Sequence, residues 1–140
     1  MVTTVAVKPR VHTVELSVPP IPEFIQIVRL VLSGIGNVIN LNVDEIEDLK
    51  LAVGEACYNL FQTEGTGEQI SIKASADSRK LVIDVSQKTE RLSLPRLFAT
   101  GTSTERGIGV VLMKHLMDRV EYKTSANGSQ IRLVKFRSQP

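Results

Sequence analysis

QISIKASADSRKLVIDV, residues 69–85, decides the fold. Ile70, Ile72 and Ala74 alternate with Ser71, Lys73 and Ser75, the period of two that marks a strand with one buried face. Residues 81–85 form a second apolar run, and Ala76-Asp77-Ser78-Arg79 joins the two with turn chemistry. Strands linked so closely pair antiparallel. Upstream, residues 12–18 alternate in the same way, with Val14, Leu16 and Val18 on one side. Pro19, Pro20 and Pro22 end that strand, and Pro22 suits the first turn of a helix. The helix is expected over residues 23–39, where Phe24, Ile27, Val28, Val31, Leu32 and Ile35 recur at threes and fours. Asn42 or Asp44 caps a second helix, with Glu45, Glu47 and Asp48 in its first turns and a core stripe of Ile46, Leu49, Val53, Ala56, Cys57 and Leu60.

Downstream, residues 64–67 read as a turn, 92–98 as a Pro-interrupted segment and 100–104 as a loop. A third helix is expected over residues 107–120. Asn127-Gly128 then marks a hairpin between strands at 120–124 and 129–136. The order is strand, two helices, two strands, loop, helix, two strands. That order predicts one α+β domain over residues 1–140, a two-layer sandwich whose mixed, mostly antiparallel sheet carries its helices on one face.

The 140 residues carry 17 Lys and Arg against 15 Asp and Glu, a net charge of +2. With 42% hydrophobic and 23% charged residues, the chain can build a core and is neither disordered nor collagen-like. The pI of 8.8 rests on an excess of two charges. Aromatics are only 4%, with no Trp, so the stacking platforms and basic stripe of a nucleic-acid binder are missing. Cys57 has no disulfide partner, and His12 and His115 add too little for a metal site. Residues 1–10 lack the apolar segment of a secretory signal, and residues 24–32, broken by Gln26 and Arg29, are too short to span a bilayer. A cytoplasmic location without membrane contact is expected.

Two constellations carry possible chemistry. Glu55 and Asn59, four apart on the second helix, project from one face. A carboxylate there can take a proton from an attacking hydroxyl, and a carboxamide oxygen can ligate Mg²⁺. The plain alternative is two polar residues on a solvated face. The second is Glu105-Arg106-Gly107-Ile108-Gly109, opening a helix after a Thr/Ser/Gly loop. Unpaired N–H groups at a helix start bind phosphate, glycines admit it to the backbone, and Arg106 adds charge-assisted bonds. A simple connecting loop is the plain alternative here. Gly-Lys-Ser/Thr, which a Walker A loop needs, is absent.

Taken in order, the two stretches extend into a longer pattern. It runs through Val43-Asp44-Glu45-Ile46, Leu49, Glu55-Ala56, Asn59 and Leu97-Phe98-Ala99-Thr100. Glu105-Arg106-Gly107-Ile108-Gly109, Leu112-Met113, Leu116-Met117-Asp118-Arg119-Val120 and Gln130-Ile131-Arg132-Leu133 complete it. The whole chain resembles the bacterial anti-sigma factor serine kinases, small members of the superfamily of gyrase, chaperone, histidine-kinase and mismatch-repair ATPases. The resemblance implies a Bergerat-type fold binding ATP or ADP with Mg²⁺. It also implies a sigma factor and a STAS-domain antagonist, phosphorylated on serine, as partners, and often a homodimer. By that resemblance Glu55 matches the catalytic base and Asn59 the Mg²⁺ ligand. Gly107 and Gly109 match a glycine box around the phosphates, and Arg106 falls near a basic or glycine position beside them.

The chain departs from the pattern after its third strand. The family's Asp-x-Gly-x-Gly box reads Gln87-Lys88-Thr89-Glu90-Arg91 here, and Asp84 lies three residues early. Gln87 is left to hydrogen-bond the adenine, without the charge that strengthens an Asp contact. Thr63 stands where a His or Arg is common. Two readings follow: a serine kinase acting on the antagonist, favoured by Glu55 with Asn59, and a binding module of the same fold that only sequesters its partner, favoured by the altered box.

Overall fold

A computed structural model of the chain describes residues 11–61, 68–88, 104–125 and 127–137; for residues 61, 104–108 and 125 the description is of the backbone. Strand β1, His12–Val18, leads through a 3-10 turn at Pro22–Phe24 into helix α1, Ile25–Val38. Pro22 occupies the first turn, where no N–H is needed. Helix α2, Val43–Phe61, follows. Asn42 is its cap: the Asn42 side-chain oxygen accepts from the Glu45 N–H at 2.8 Å, and the Asn42 N–H donates to the Glu45 carboxylate at 3.0 Å. This reciprocal pair is a capping box.

Strands β2, Ile70–Ala76, and β3, Lys80–Lys88, form the hairpin expected from the opening stretch. Asp77 sets its turn, its carboxylate accepting from the N–H groups of Arg79 at 2.7 Å and Lys80 at 2.9 Å. Helix α3, Thr104–Leu116, precedes β4, Arg119–Ser125, and β5, Gly128–Phe136. Gly128 has a φ of 150°, and a side chain there would run into the Gln87 carbonyl across the ladder, which explains glycine at the end of the hairpin loop. The turn expected at residues 64–67, the segment at 92–98 and the loop at 100–103 lie outside the described residues.

The sheet runs β1-β2-β3-β5-β4. All four pairings are antiparallel, so the mixed sheet expected from the sequence is antiparallel throughout. One face carries Ile70, Ile72, Ala74, Leu81, Ile83, Val85, Ile131 and Leu133, all buried with Val28, Leu32, Leu49, Val53, Leu60 and Met113 of the helices in one core. The other face is polar. Thr13 meets Ser75 at 3.3 Å, Ser17 meets Ser71 at 3.4 Å, and Arg132 grips Asp84 with two bonds of 2.7 and 3.0 Å. Arg137, just past β5, donates to the carbonyls of Asp77 at 2.5 Å and Ile39 at 2.9 Å. It thereby ties the β2–β3 turn to the end of α1.

Some expectations are corrected. The third helix starts at Thr104, not 107, and stops at Leu116. Val120 belongs to β4, opposite Leu133, because Asp118 already pairs its N–H with the Val134 carbonyl at 2.9 Å. Ile27, whose spacing puts it on the expected buried face of α1, is 42% exposed. With a single sheet to pack on, each helix buries a narrow line. Ile25, Val28 and Leu32 fill that line on α1, and a residue one place along the helix is turned away by about 100°. Among the described residues, no helix is long and apolar enough to cross a membrane.

Candidate functional site

Helix α2 delivers the first two side chains. Its buried stripe locks the helix onto the sheet, which fixes where Glu55 and Asn59 stand. Asn59 is 4% exposed. Its amide Nδ2 donates to the Glu55 carbonyl one turn back at 2.9 Å. Its Oδ1 is buried and accepts no hydrogen bond among the described residues. Such a group is costly to leave unmade, and a neutral oxygen held this way fits one ligand position of Mg²⁺. Among the described residues no three His, Cys, Asp or Glu side chains converge on a metal position. A cation at Asn59 would therefore take its remaining ligands from phosphate and water.

Helix α3 supplies the opposing wall. A Cβ built on Gly109 would stand 2.8 Å from Glu55 Oε2 and 3.5 Å from Asn59 Nδ2. The structure therefore brings Glu55, Asn59 and Gly109 together from two helices. Arg106 and Gly107 lie in the first turn of α3, among the four leading residues whose N–H groups have no partner within the helix. Gly109 does not. With the helix starting three residues earlier than expected, it is the sixth residue of α3, and its N–H belongs to the helical ladder. The missing side chain at 109 leaves the space that Glu55 Oε2 approaches.

Gln87 reaches the helix side of the sheet because β3 continues to Lys88, three residues past the apolar run. It is 3% exposed, and its Nε2 donates to the Glu68 carbonyl at 2.9 Å. Asp84 points the other way, into its pair with Arg132 on the polar face. It therefore cannot substitute for an acidic group at Gln87. Residues 89–91, the rest of the altered box, lie outside the described residues, as does Thr63.

Cys57 is buried, and burial pushes its thiol up to about 12 although Arg29 opposes the shift; it is an inert core group. His12 and His115 are exposed. A separate groove of ≈ 400 Å³ between α1 and α2, lined by Arg29, Leu30 and Ser33 on one side and Glu47, Lys50 and Leu51 on the other, contains none of the candidate residues. Sequence reasoning missed the Gly109–Glu55 contact, because no local pattern links two residues on different helices.

The histidine kinase-like ATPase domain family matches residues 18–135. Over 141 residues the chain is 32% identical to the serine-protein kinase RsbW of Bacillus pumilus, covering 90% of this chain and 86% of that one. It is 35% identical over 141 residues to RsbW of Halalkalibacterium halodurans, covering 91% and 86%. For RsbW of Bacillus subtilis the identity is 32% over 136 residues, covering 88% and 84%. Among solved structures, the RsbU and RsbW domains of a Mycobacterium tuberculosis protein share the fold, with a TM-score of 0.71 at 15% identity over 92% of this chain. This chain spans 33% of that one.

Proposed function

The chain belongs to the histidine kinase-like ATPases and, within them, to the RsbW-type serine-protein kinases; from that premise we propose that it is a partner-switching anti-sigma kinase that phosphorylates a STAS-domain antagonist on serine. The single domain would hold a sigma factor in one state and the antagonist in the other. The observation that carries the catalytic part is the placement of Glu55 one turn from the buried Asn59 oxygen, which accepts no hydrogen bond among the described residues, on one face of α2.

Bound Mg-ATP supplies an activated phosphoryl group with its charge partly neutralised by the metal. Asn59 Oδ1 would hold the cation. Arg106 and the leading N–H groups of α3 that have no partner within the helix, that of Gly107 among them, would hold the phosphate oxygens. Gln87, on the helix side of β3, would meet the base. The Glu55 carboxylate accepts the proton of the serine hydroxyl as that oxygen bonds to phosphorus and ADP departs. ADP, the phosphoserine and a protonated Glu55 result, and the proton passes to solvent.

Ligand linkage gives the test. A hundredfold excess over the dissociation constant stabilises a fold by about 2.7 kcal/mol, several degrees of melting temperature for a chain of this size. Millimolar Mg-ATP should raise the melting temperature of the wild type. Asn59→Ala should lose the magnesium-dependent part. Glu55→Ala should keep the shift yet transfer no label from [γ-32P]ATP to a STAS-domain antagonist. Absence of any shift would sink the kinase reading and leave sequestration alone.

A further inference from the structure

Gly109 sits inside α3, where glycine weakens a helix and where its N–H is already used. Conformation gives no reason for glycine at this place: its φ is not in the left-handed region. Packing does. Glu55 Oε2 occupies the notch where a side chain at 109 would begin, 2.8 Å from the missing Cβ, while the next atoms, Asn59 Nδ2 at 3.5 Å and Glu55 Cδ at 3.8 Å, are at ordinary contact distance. A methyl at 109 therefore conflicts with one atom, the tip of the Glu55 carboxylate.

We propose that Gly109 is a positioning residue for Glu55: the notch it leaves in α3 seats the carboxylate beside Asn59 and fixes its approach to the acceptor hydroxyl. The role rests on the kinase reading above, since it acts through Glu55 as proton acceptor. It differs from a phosphate-binding role in where it acts. A glycine that admits phosphate to the backbone loses that access when a methyl is added, which raises KM, whereas a carboxylate seated in the notch must move, which lowers kcat. The move is cheap for the fold, because the end of a flexible side chain swings aside. It is costly for transfer, because a displacement of about 1 Å at a reacting group can cost on the order of a hundredfold in rate.

Gly109→Ala separates the two. Release of inorganic phosphate from Mg-[γ-32P]ATP, with water standing in for the serine, should fall about tenfold or more in kcat, with KM for Mg-ATP within about twofold of wild type. The melting temperature should hold or rise, since alanine favours the helix. A second readout needs no activity. In a Glu55→Ala background, Gly109→Ala should raise the melting temperature by more than it does in the wild type, because the conflicting atom is gone. An unchanged kcat, or equal shifts in the two backgrounds, overturns the positioning role. A raised KM at constant kcat also overturns it, in favour of phosphate binding. Wild-type protein that gains no thermal stability from millimolar Mg-ATP overturns the kinase reading itself, and the positioning role with it.

Discussion

Asn42→Ala tests whether the site's helix is anchored where the structure puts its anchor. The substitution deletes the 2.8 Å bond from the Glu45 N–H and keeps the backbone N–H of residue 42 that donates to the Glu45 carboxylate at 3.0 Å. Loss of a cap of this kind costs about 1 kcal/mol, within a range of roughly 0.5–2. An unfolding entropy of about 2.1 cal/mol/K per residue gives a chain this long roughly 0.3 kcal/mol/K. One kcal/mol then lowers the melting temperature by about 3–4 °C. Asn42→Asp should keep the cap and add negative charge at the positive end of the helix, holding or raising the midpoint. Thermal melts followed by circular dichroism at pH 7 read both variants. The fraying should stop within the first turn, so Mg-ATP should stabilise Asn42→Ala by as much as wild type, with Glu55 and Asn59 three turns farther on. An Asn42→Ala midpoint equal to wild type, or an Asn42→Asp midpoint lowered as far as the alanine variant, would refute the capping argument.

Other outcomes follow from the same geometry. Leu49→Ala, at a fully buried position between helix and sheet, should cost about 2–5 kcal/mol, read as a lower urea midpoint with the slope retained. Cys57, with its thiol pushed up to about 12 by burial, should resist Ellman's reagent at pH 8 in the native state and react once denaturant opens the core. The Arg79 and Lys80 N–H groups hold the Asp77 carboxyl below the usual carboxylate range. Its stabilisation is thus present above the unfolded value near 3.9 and lost as pH falls through the lower folded one. Asp77→Asn should flatten that acid limb in melts run from pH 5 to pH 2.

The sequence carried the architecture because its signals are local. Period-two alternation at Ile70, Ile72 and Ala74, the Asn127-Gly128 turn and the Asn42 cap each act over a few residues, and the structure has a strand, a hairpin and a helix start at those places. The same locality paired Glu55 with Asn59. What it could not supply is set by packing across the chain. Ile27 reads as core because it is apolar and near the right spacing, but one sheet covers only one line of the helix. The place where α3 begins depends on a loop without hydrophobic period, so glycines at 107 and 109 read alike. Three residues of added helix give them different places: Gly107 lies in the first turn, while Gly109 lies beside Glu55.

The place of β1 at the sheet's edge has a kinetic consequence. It pairs with β2 alone, Val18 opposite Ile70 and His12 opposite Ala76, so more than fifty residues of chain, including both long helices, must be gathered before that ladder closes. The β2–β3 and β4–β5 hairpins close over short turns and can form early. β1 should therefore join last on folding and leave first on opening. Its amides should be the fastest of the five strands to exchange with deuterated solvent, at a free energy well below that of global unfolding.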